Sequence, residues 1–547
     1  MKRISGADAI VESLIANDVD TVFGLPGGQL DHLFDSFYRA GDKLRILHTR
    51  HEQGAAYMAF GYAQSTGKTG VYTVVPGPGL LNTTAALCTA WACNSPVLAI
   101  SGQVHLAGID SGYGHLHEIP DQLGLIRHLT KWAERINHPS ETPRIMQQAF
   151  TELHSGRPRP VEIEMPMDVM EAQAVVAKAV KASRAEVPPV DPDLIKDAAK
   201  LLLAAKRPMI VIGSGVLDAG PELLAVAERL QAPVVAKRKG KGVISDDHYL
   251  SQNLPAGHTL WGQADAVLAV GTRLKMPLTM WGKDEDLKLV RIDIDPLELN
   301  RITTPEIGIV GDAKAVLSAL LEELEKNGSV AASRNEELTA LKASIGQTMR
   351  EKVAPQMAYL DAIRAALPRD GYFIDEVTQV GFVSWSGFPV YQPRHFVSAC
   401  QQGTLGYGFA TALGVAAAHP AKAVVQVSGD GGFMFTMQEL STAVHYQLNL
   451  VTIIFNDNTF TNVQRQQDEW FDGRRICSDL TNPDFVKMAE SFGAGAYRAN
   501  SPAELAKVLP TALKQKGPSI IEVSLTARMP TPWQFILMPQ NRKSLCA

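Results

Sequence analysis

Two carboxylates in the 547-residue chain stand where short apolar runs end. Asp430 lies in Gly429-Asp430-Gly431-Gly432, directly after the apolar run 423–428. Asp457 lies in Asn456-Asp457-Asn458, directly after the run 450–455, and the two aspartates are 27 positions apart. If the runs are neighbouring parallel strands, both carboxylates emerge at the carboxyl end of a sheet, where open α/β sheets place ligands. Paired side-chain oxygens there suit a hard cation such as Mg²⁺, which keeps oxygen ligands and bridges phosphates. The glycines allow close backbone approach, and a helix starting after Gly432 adds positive potential for a diphosphate. Alone, Gly-Asp-Gly is equally a turn. The pairing with Asp457 favours a site.

Glu52 follows the strand-like run 44–49 in Arg50-His51-Glu52-Gln53-Gly54 and opens a helical stretch. A carboxylate in a first helical turn is, at its simplest, a partner of the helix dipole. Further on, Val75-Pro76-Gly77-Pro78-Gly79 with Asn82 makes a Gly/Pro turn at another strand end. Gly114-His115-Leu116-His117-Glu118 offers two histidines, which titrate near neutral pH and can shuttle protons; each can equally be structural.

These residues need elements to hold them. Three blocks of the chain alternate short apolar runs with amphipathic stretches, as in 44–49 then 52–64, and 208–213 then 221–230. Strands alternating with helices imply βαβ units and parallel sheets. The pattern predicts a helix over 433–447 and a strand over 372–374. Prolines place an extended linker at 186–192, and polar residues a second at 326–334, followed by a helical stretch ending near Pro355. With 52 basic and 57 acidic side chains, and no basic run longer than Lys237-Arg238-Lys239, nucleic acid is not an expected partner. No apolar run reaches the roughly 18 residues of a membrane span, so no membrane partner is expected either. Five cysteines (Cys88, Cys93, Cys400, Cys477, Cys546) are odd in number and not spaced as zinc ligands. The first 20 residues carry Asp8, Glu12 and Asp18 and no apolar core. A cytoplasmic protein is expected.

A Gly-Asp-Gly followed at this spacing by Asn-Asn is the signature of thiamine-diphosphate enzymes, and residues 429–458 resemble it, with Asp457 replacing the second Asn. Through its whole length the chain resembles thiamine-diphosphate-dependent enzymes of the acetolactate synthase large-subunit type. The resemblance implies three doubly wound parallel-sheet α/β domains: pyrimidine-binding at 1–185, central at 190–330, and diphosphate-binding with a carboxyl-terminal tail at 355–547. It implies that Asp430 and Asp457 bind the metal by side chain, and Thr459 by its carbonyl. Glu52 would hydrogen-bond N1′ of the cofactor's aminopyrimidine and activate it. Pro78 and Asn82 resemble the loop near the pyrimidine, and 101–104 the substrate-side loop. Thr378, Gln379, Gly403, Gly429, Gly431, Gly432 and Phe460 would contact the cofactor, and Leu405 would prop it into a V shape. His117 stands beside the expected substrate position as a catalytic candidate; the role of His115 is open.

The middle block holds Ile212-Gly213-Ser214-Gly215, but a dinucleotide fingerprint needs glycine where Asp218 stands. Acetolactate synthases bind FAD through a Gly- and Met-rich loop that 236–242 does not reproduce, so FAD is expected to be absent or non-essential. That basic loop is either solvated or a nucleotide contact. Where those enzymes carry a Gly-Met pair and later a Trp, Thr461, Asn462 and Gln466 make a more polar set. The expected reaction is Mg²⁺-dependent C–C bond cleavage or formation on a 2-oxo acid. Decarboxylation to an enamine precedes either protonation or addition to a carbonyl acceptor, with a partner more polar than pyruvate. Alternatives are a 2-oxo acid decarboxylase, a 2-hydroxyacyl-CoA or oxalyl-CoA lyase, and, outside the family, a flavin- or nicotinamide-dependent oxidoreductase. Active sites between subunits of a homodimer or homotetramer are also implied. The Pro-rich tail 529–535 would cover the site or pack on a domain surface.

Overall fold

The computed structural model describes residues 1–187 and 189–542; Pro188 of the expected linker and Cys546 lie outside them. Three six-stranded sheets carry the fold, and their inner strands are buried Val-, Ile- and Leu-rich runs, as parallel strands covered on both faces must be. The first runs Arg45–His48, Thr21–Gly24, Gly70–Val74, Val97–Gln103, Val161–Pro166, Trp132–Arg135. Its register pairs Gly24 with His48 and with Thr73, and Val74 with Ser101. The loops beginning at 25, 49, 75 and 104 therefore leave from one edge. The third sheet runs Phe396–Val397, Tyr372–Ile374, Val424–Gly429, Val451–Asn456, Ser519–Ser524, Gly495–Ala499, the same chain order as the first. Gly429 pairs with Phe455, so Asp430 and Asn456 leave adjacent strand ends.

The middle sheet runs Ser251–Gln252, Val234–Ala236, Pro208–Ile212, Ala266–Val270, Lys288–Asp293, Ile307–Val310, a doubly wound order. At its switch point, a Cβ on Gly213 would lie 2.4 Å from Gly271 O, and one on Gly215 2.6 Å from Gly271 Cα. Backbone packing accounts for these glycines without a nucleotide.

Packing divides the chain into two compact units. The first comprises Met1–Glu186, Ala399–Arg498 and Thr511–Glu522. In it, helix Glu52–Thr66 crosses helix Tyr407–Ala418, and nearly every residue of both is buried. A Cβ on Gly61 would meet Thr411 O at 2.1 Å, and one on Gly414 would meet Met58 O at 2.0 Å. Only glycine lets these backbones approach so closely. The second unit holds the middle sheet and the carboxyl-terminal tail. There Trp533 packs against Phe382 with centroids 5.2 Å apart, and Arg542 pairs with Asp284 at 2.6 Å.

Local structure departs from expectation in three places. The helix predicted over 433–447 is interrupted: a turn at Asp430–Phe433 precedes a 3₁₀ turn, Met437–Glu439, and helix Leu440–His445. At the break, Thr436 Oγ1 donates to Gly406 O (3.1 Å), an alternative to continuing the helix. The helix placed after Gly432 instead starts at Asp430 and lasts one turn. As expected, the helical stretch after the second linker, Asn335–Lys352, ends near Pro355, which lies in the first turn of the next helix, Ala354–Ala366, where proline is tolerated. Finally, Lys2–Ser5 and Gln173–Val176 form a small antiparallel sheet with no strong sequence signal. Among the described residues, no helix is long and apolar enough to cross a membrane.

Candidate active site

Glu52 is the first residue of its helix. His51 caps that helix, its Nδ1 accepting from Gln53 N–H at 3.1 Å. The Glu52 side chain is 14% exposed and accepts from Asn82 Nδ2 at 3.0 Å. Asn82 ends the short helix Pro78–Leu81 that follows Gly77. Gly79 is packed so that a Cβ would lie 2.6 Å from Val75 and 3.7 Å from Glu52 Oε1. Gly77 needs its left-handed φ of 57°, and a Cβ there would strike His117 O at 2.4 Å. The structure thus gathers Glu52, Pro78, Asn82 and the backbone of His117 at one sheet edge.

His117 is itself left-handed, φ 67°, and its Nδ1 lies 3.1 Å from Gln29 Oε1. Gln29 Nε2 donates to Leu116 O at 2.9 Å. Glu118 organises the loop, accepting from Gly112 N (2.8 Å), Gly114 N (2.8 Å) and His115 N (2.9 Å). His115 packs its ring on Gly108 and edge-on to Tyr113.

Under this edge lies a polar network that sequence reading missed. Gln122 accepts from Gly77 N at 2.8 Å and donates to Gly102 O (3.2 Å) and Glu164 Oε2 (2.9 Å). Arg135 pairs with Glu164, and Ser101 Oγ donates to Glu162 Oε1 at 2.6 Å. Glu162 and Glu164 are wholly buried. Burial, then the neighbouring Glu164, hold the Glu162 carboxyl well above its ordinary range. The available signal was two glutamates at i and i+2 of one buried strand, which share a face.

On the third sheet, Asp430 is buried and accepts from Asn482 Nδ2 at 2.6 Å and from the backbone of Gly431 and Asn458. Burial, then the charge of Asp457, push its carboxyl up to about 6. Asp457 accepts from Thr459 N and Oγ1, both at 3.2 Å, and from Thr461 Oγ1. Asn458 takes a left-handed φ of 56°, which asparagine tolerates. Thr459 pairs with Asp479 across a bridge whose hydrogen bonds run from Phe460 N to Ser478 O and from Leu480 N to Asn458 O. The Thr459 carbonyl is outside them. Gly431 faces the Phe460 ring, where a Cβ would lie 2.6 Å away. Among the described residues no group of three or more His, Cys, Asp or Glu forms a metal cluster. Two neighbouring carboxylates surrounded by amide and hydroxyl groups fit an oxygen-liganded divalent cation that brings further oxygens with it. Asn482, missed from sequence, sits before Pro483, a signal of a turn only.

Gly403, with φ 53°, is exposed and Leu405 is half-buried, both just before helix Tyr407–Ala418. Thr378 and Gln379 belong to the second unit, where Thr378 precedes helix Gln379–Gly387 without a side-chain capping bond and the buried Gln379 Oε1 has no partner. Thr461, Asn462 and Gln466 lie on helix Thr461–Trp470, whose single buried residue is Gln464.

Three family models match the chain. They describe a thiamine pyrophosphate enzyme's N-terminal TPP binding domain (residues 4–125), central domain (195–320) and C-terminal TPP binding domain (376–523). Among curated relatives, a probable 2-ketoarginine decarboxylase of Pseudomonas aeruginosa is 34% identical, covering 95% of this chain and 94% of its own. A probable acetolactate synthase large subunit of Methanocaldococcus jannaschii is also 34% identical, covering 95% and 92%. The acetolactate synthase isozyme 3 large subunit of Escherichia coli is 32% identical, covering 94% and 93%.

Proposed function

The chain belongs to the thiamine-pyrophosphate-dependent enzymes, as a carboligase or decarboxylase, and from that premise we propose that it decarboxylates a polar or charged 2-oxo acid. The observation that carries this reading is the polar turn after Asp457, with Thr461, Asn462, Gln464 and Gln466 on one short helix. A relative named for 2-ketoarginine agrees with a charged substrate.

Bound thiamine diphosphate supplies an electron sink for the pair released as CO₂ leaves. Asp430, Asp457 and the Thr459 carbonyl would hold Mg²⁺, which would supply positive charge for a diphosphate. Thr378, Gln379, Gly403, Gly429, Gly431, Gly432 and Phe460 would contact the cofactor, and Leu405 would shape its seat. Glu52, oriented by Asn82, would hold the proton shared with the aminopyrimidine. His117, oriented by Gln29, supplies a proton on the substrate side. We read the domains as 1–185, 190–330 and 355–547, the assembly as a cytoplasmic homodimer or homotetramer, and FAD as dispensable.

A panel of pyruvate and hydroxylated, acidic and guanidinium-bearing 2-oxo acids, with thiamine diphosphate and Mg²⁺, tests the reading by CO₂ release. Higher kcat/KM for a polar acid than for pyruvate is expected, and clear preference for pyruvate overturns it. Product analysis then separates aldehyde from ligated 2-hydroxy ketone or acid.

A further inference from the structure

Glu439 is 0% exposed, yet it lies at the end of the 3₁₀ turn Met437–Glu439, beyond every motif considered above. Both carboxylate oxygens accept from Arg50 N–H, at 3.2 and 3.1 Å, across 389 positions of chain. The backbone N–H of His51 also donates to it, as does Thr442 Oγ1 at 2.7 Å. Gly54, in the first turn of the Glu52 helix, leaves room for it: a Cβ there would lie 2.5 Å from Glu439 Oε1. A carboxylate therefore sits against the amino-terminal end of helix Glu52–Thr66, where the dipole favours it. Arg50 and His51 N–H are held by Glu439, and Gln53 N–H by His51.

We propose that Glu439 is a positioning residue that fixes the turn presenting Glu52. Catalytic groups must be held to within about 0.5 Å of their working geometry, and a turn has little stiffness of its own. Glu439 supplies that stiffness from the segment following Gly429–Gly432, so the two carboxylate regions are tied together within one unit. Glutamine cannot replace it fully, because its amide nitrogen is a donor and would face N–H groups that need acceptors. The proposal rests on Glu52 activating the cofactor and is independent of which 2-oxo acid is used.

The test is hydrogen–deuterium exchange at C2 of thiamine diphosphate bound to the Mg²⁺ holoenzyme without substrate, read by NMR after acid quench. It is paired with the cofactor Kd from a fluorescence titration. Glu439→Gln and Gly54→Ala are each expected to slow exchange roughly 10- to 100-fold, the loss typical of a misplaced catalytic group. The cofactor Kd is expected to move less than about threefold. Exchange at the wild-type rate in either folded variant overturns the proposal, as does a loss explained wholly by weaker cofactor binding. Gly54→Ala keeps every polar group, so it carries the test if Glu439→Gln does not fold. Failure of both to fold assigns Glu439 to stability and overturns the positioning role. Wild-type protein that exchanges normally but ignores every 2-oxo acid sinks the substrate reading and leaves this one standing.

Discussion

The first unit satisfies its buried carboxylates in opposite ways at its two sheet edges. At the first sheet, Glu52 has the Asn82 amide and Glu162, its carboxyl raised by burial, has the Ser101 hydroxyl, while Glu439 reaches over from the segment after Gly429–Gly432 to backbone N–H groups. At the third, Asp430 and Asp457 face each other, with amide and hydroxyl donors around them. Solvating two close carboxylates with neutral dipoles leaves their mutual repulsion in place. The first edge spreads its carboxylates over separate protein donors, with the buried Glu162 Oε2 left without one, whereas the third sets two charges against each other.

Breaking the first edge at Glu52 has the largest expected effect. Glu52→Gln should lower kcat by about 10³-fold, within the range that general acid–base groups supply, while far-UV dichroism and melting stay near wild type. Undiminished turnover would refute the role. At the third sheet's edge, Asp430→Asn should cost roughly 100-fold in activity and remove the rise in Tm expected of the wild type with Mg²⁺ and thiamine diphosphate. A variant that keeps that rise would show that the pair is not the cation site. The smallest effect sharpens the account of the first edge. The folded-state pKa of Glu162 is above its unfolded value, so the folded chain retains a proton that the unfolded chain releases. Its contribution is fully present below about pH 4.5 and is lost as pH rises toward the folded value. Glu162→Gln should therefore gain on the wild type in denaturant melts as pH is raised from 5 to about 8. A gap constant with pH would mean that Glu162 is charged in the native protein.

How much was legible in the sequence follows the same division. Asp430, Asp457 and Glu52 could be placed at strand ends because each follows within a few residues an apolar run that forms a strand, and topology then fixes where a strand ends. The alternation of runs gave three parallel-sheet domains for the same reason. Gln122, Gln29, Asn482 and Glu439 could not be read, since each acts through partners distant in the chain. Glu439 and Arg50 are 389 positions apart, and no local pattern encodes such a contact. The interrupted helix at 433–447 shares that cause: its break at Thr436 depends on Gly406, which period alone cannot see.

The glycine-lined crossing of helices Glu52–Thr66 and Tyr407–Ala418 also sets a schedule for synthesis. The first helix is complete when residue 66 is made, but the helix that covers it ends only at residue 418. At about 5–20 residues per second, that interval lasts tens of seconds. Throughout it the face of that helix that Tyr407–Ala418 covers in the finished fold lacks its partner, while its other side can pack on the amino-terminal sheet. Until then the growing chain carries apolar surface of the kind that favours aggregation.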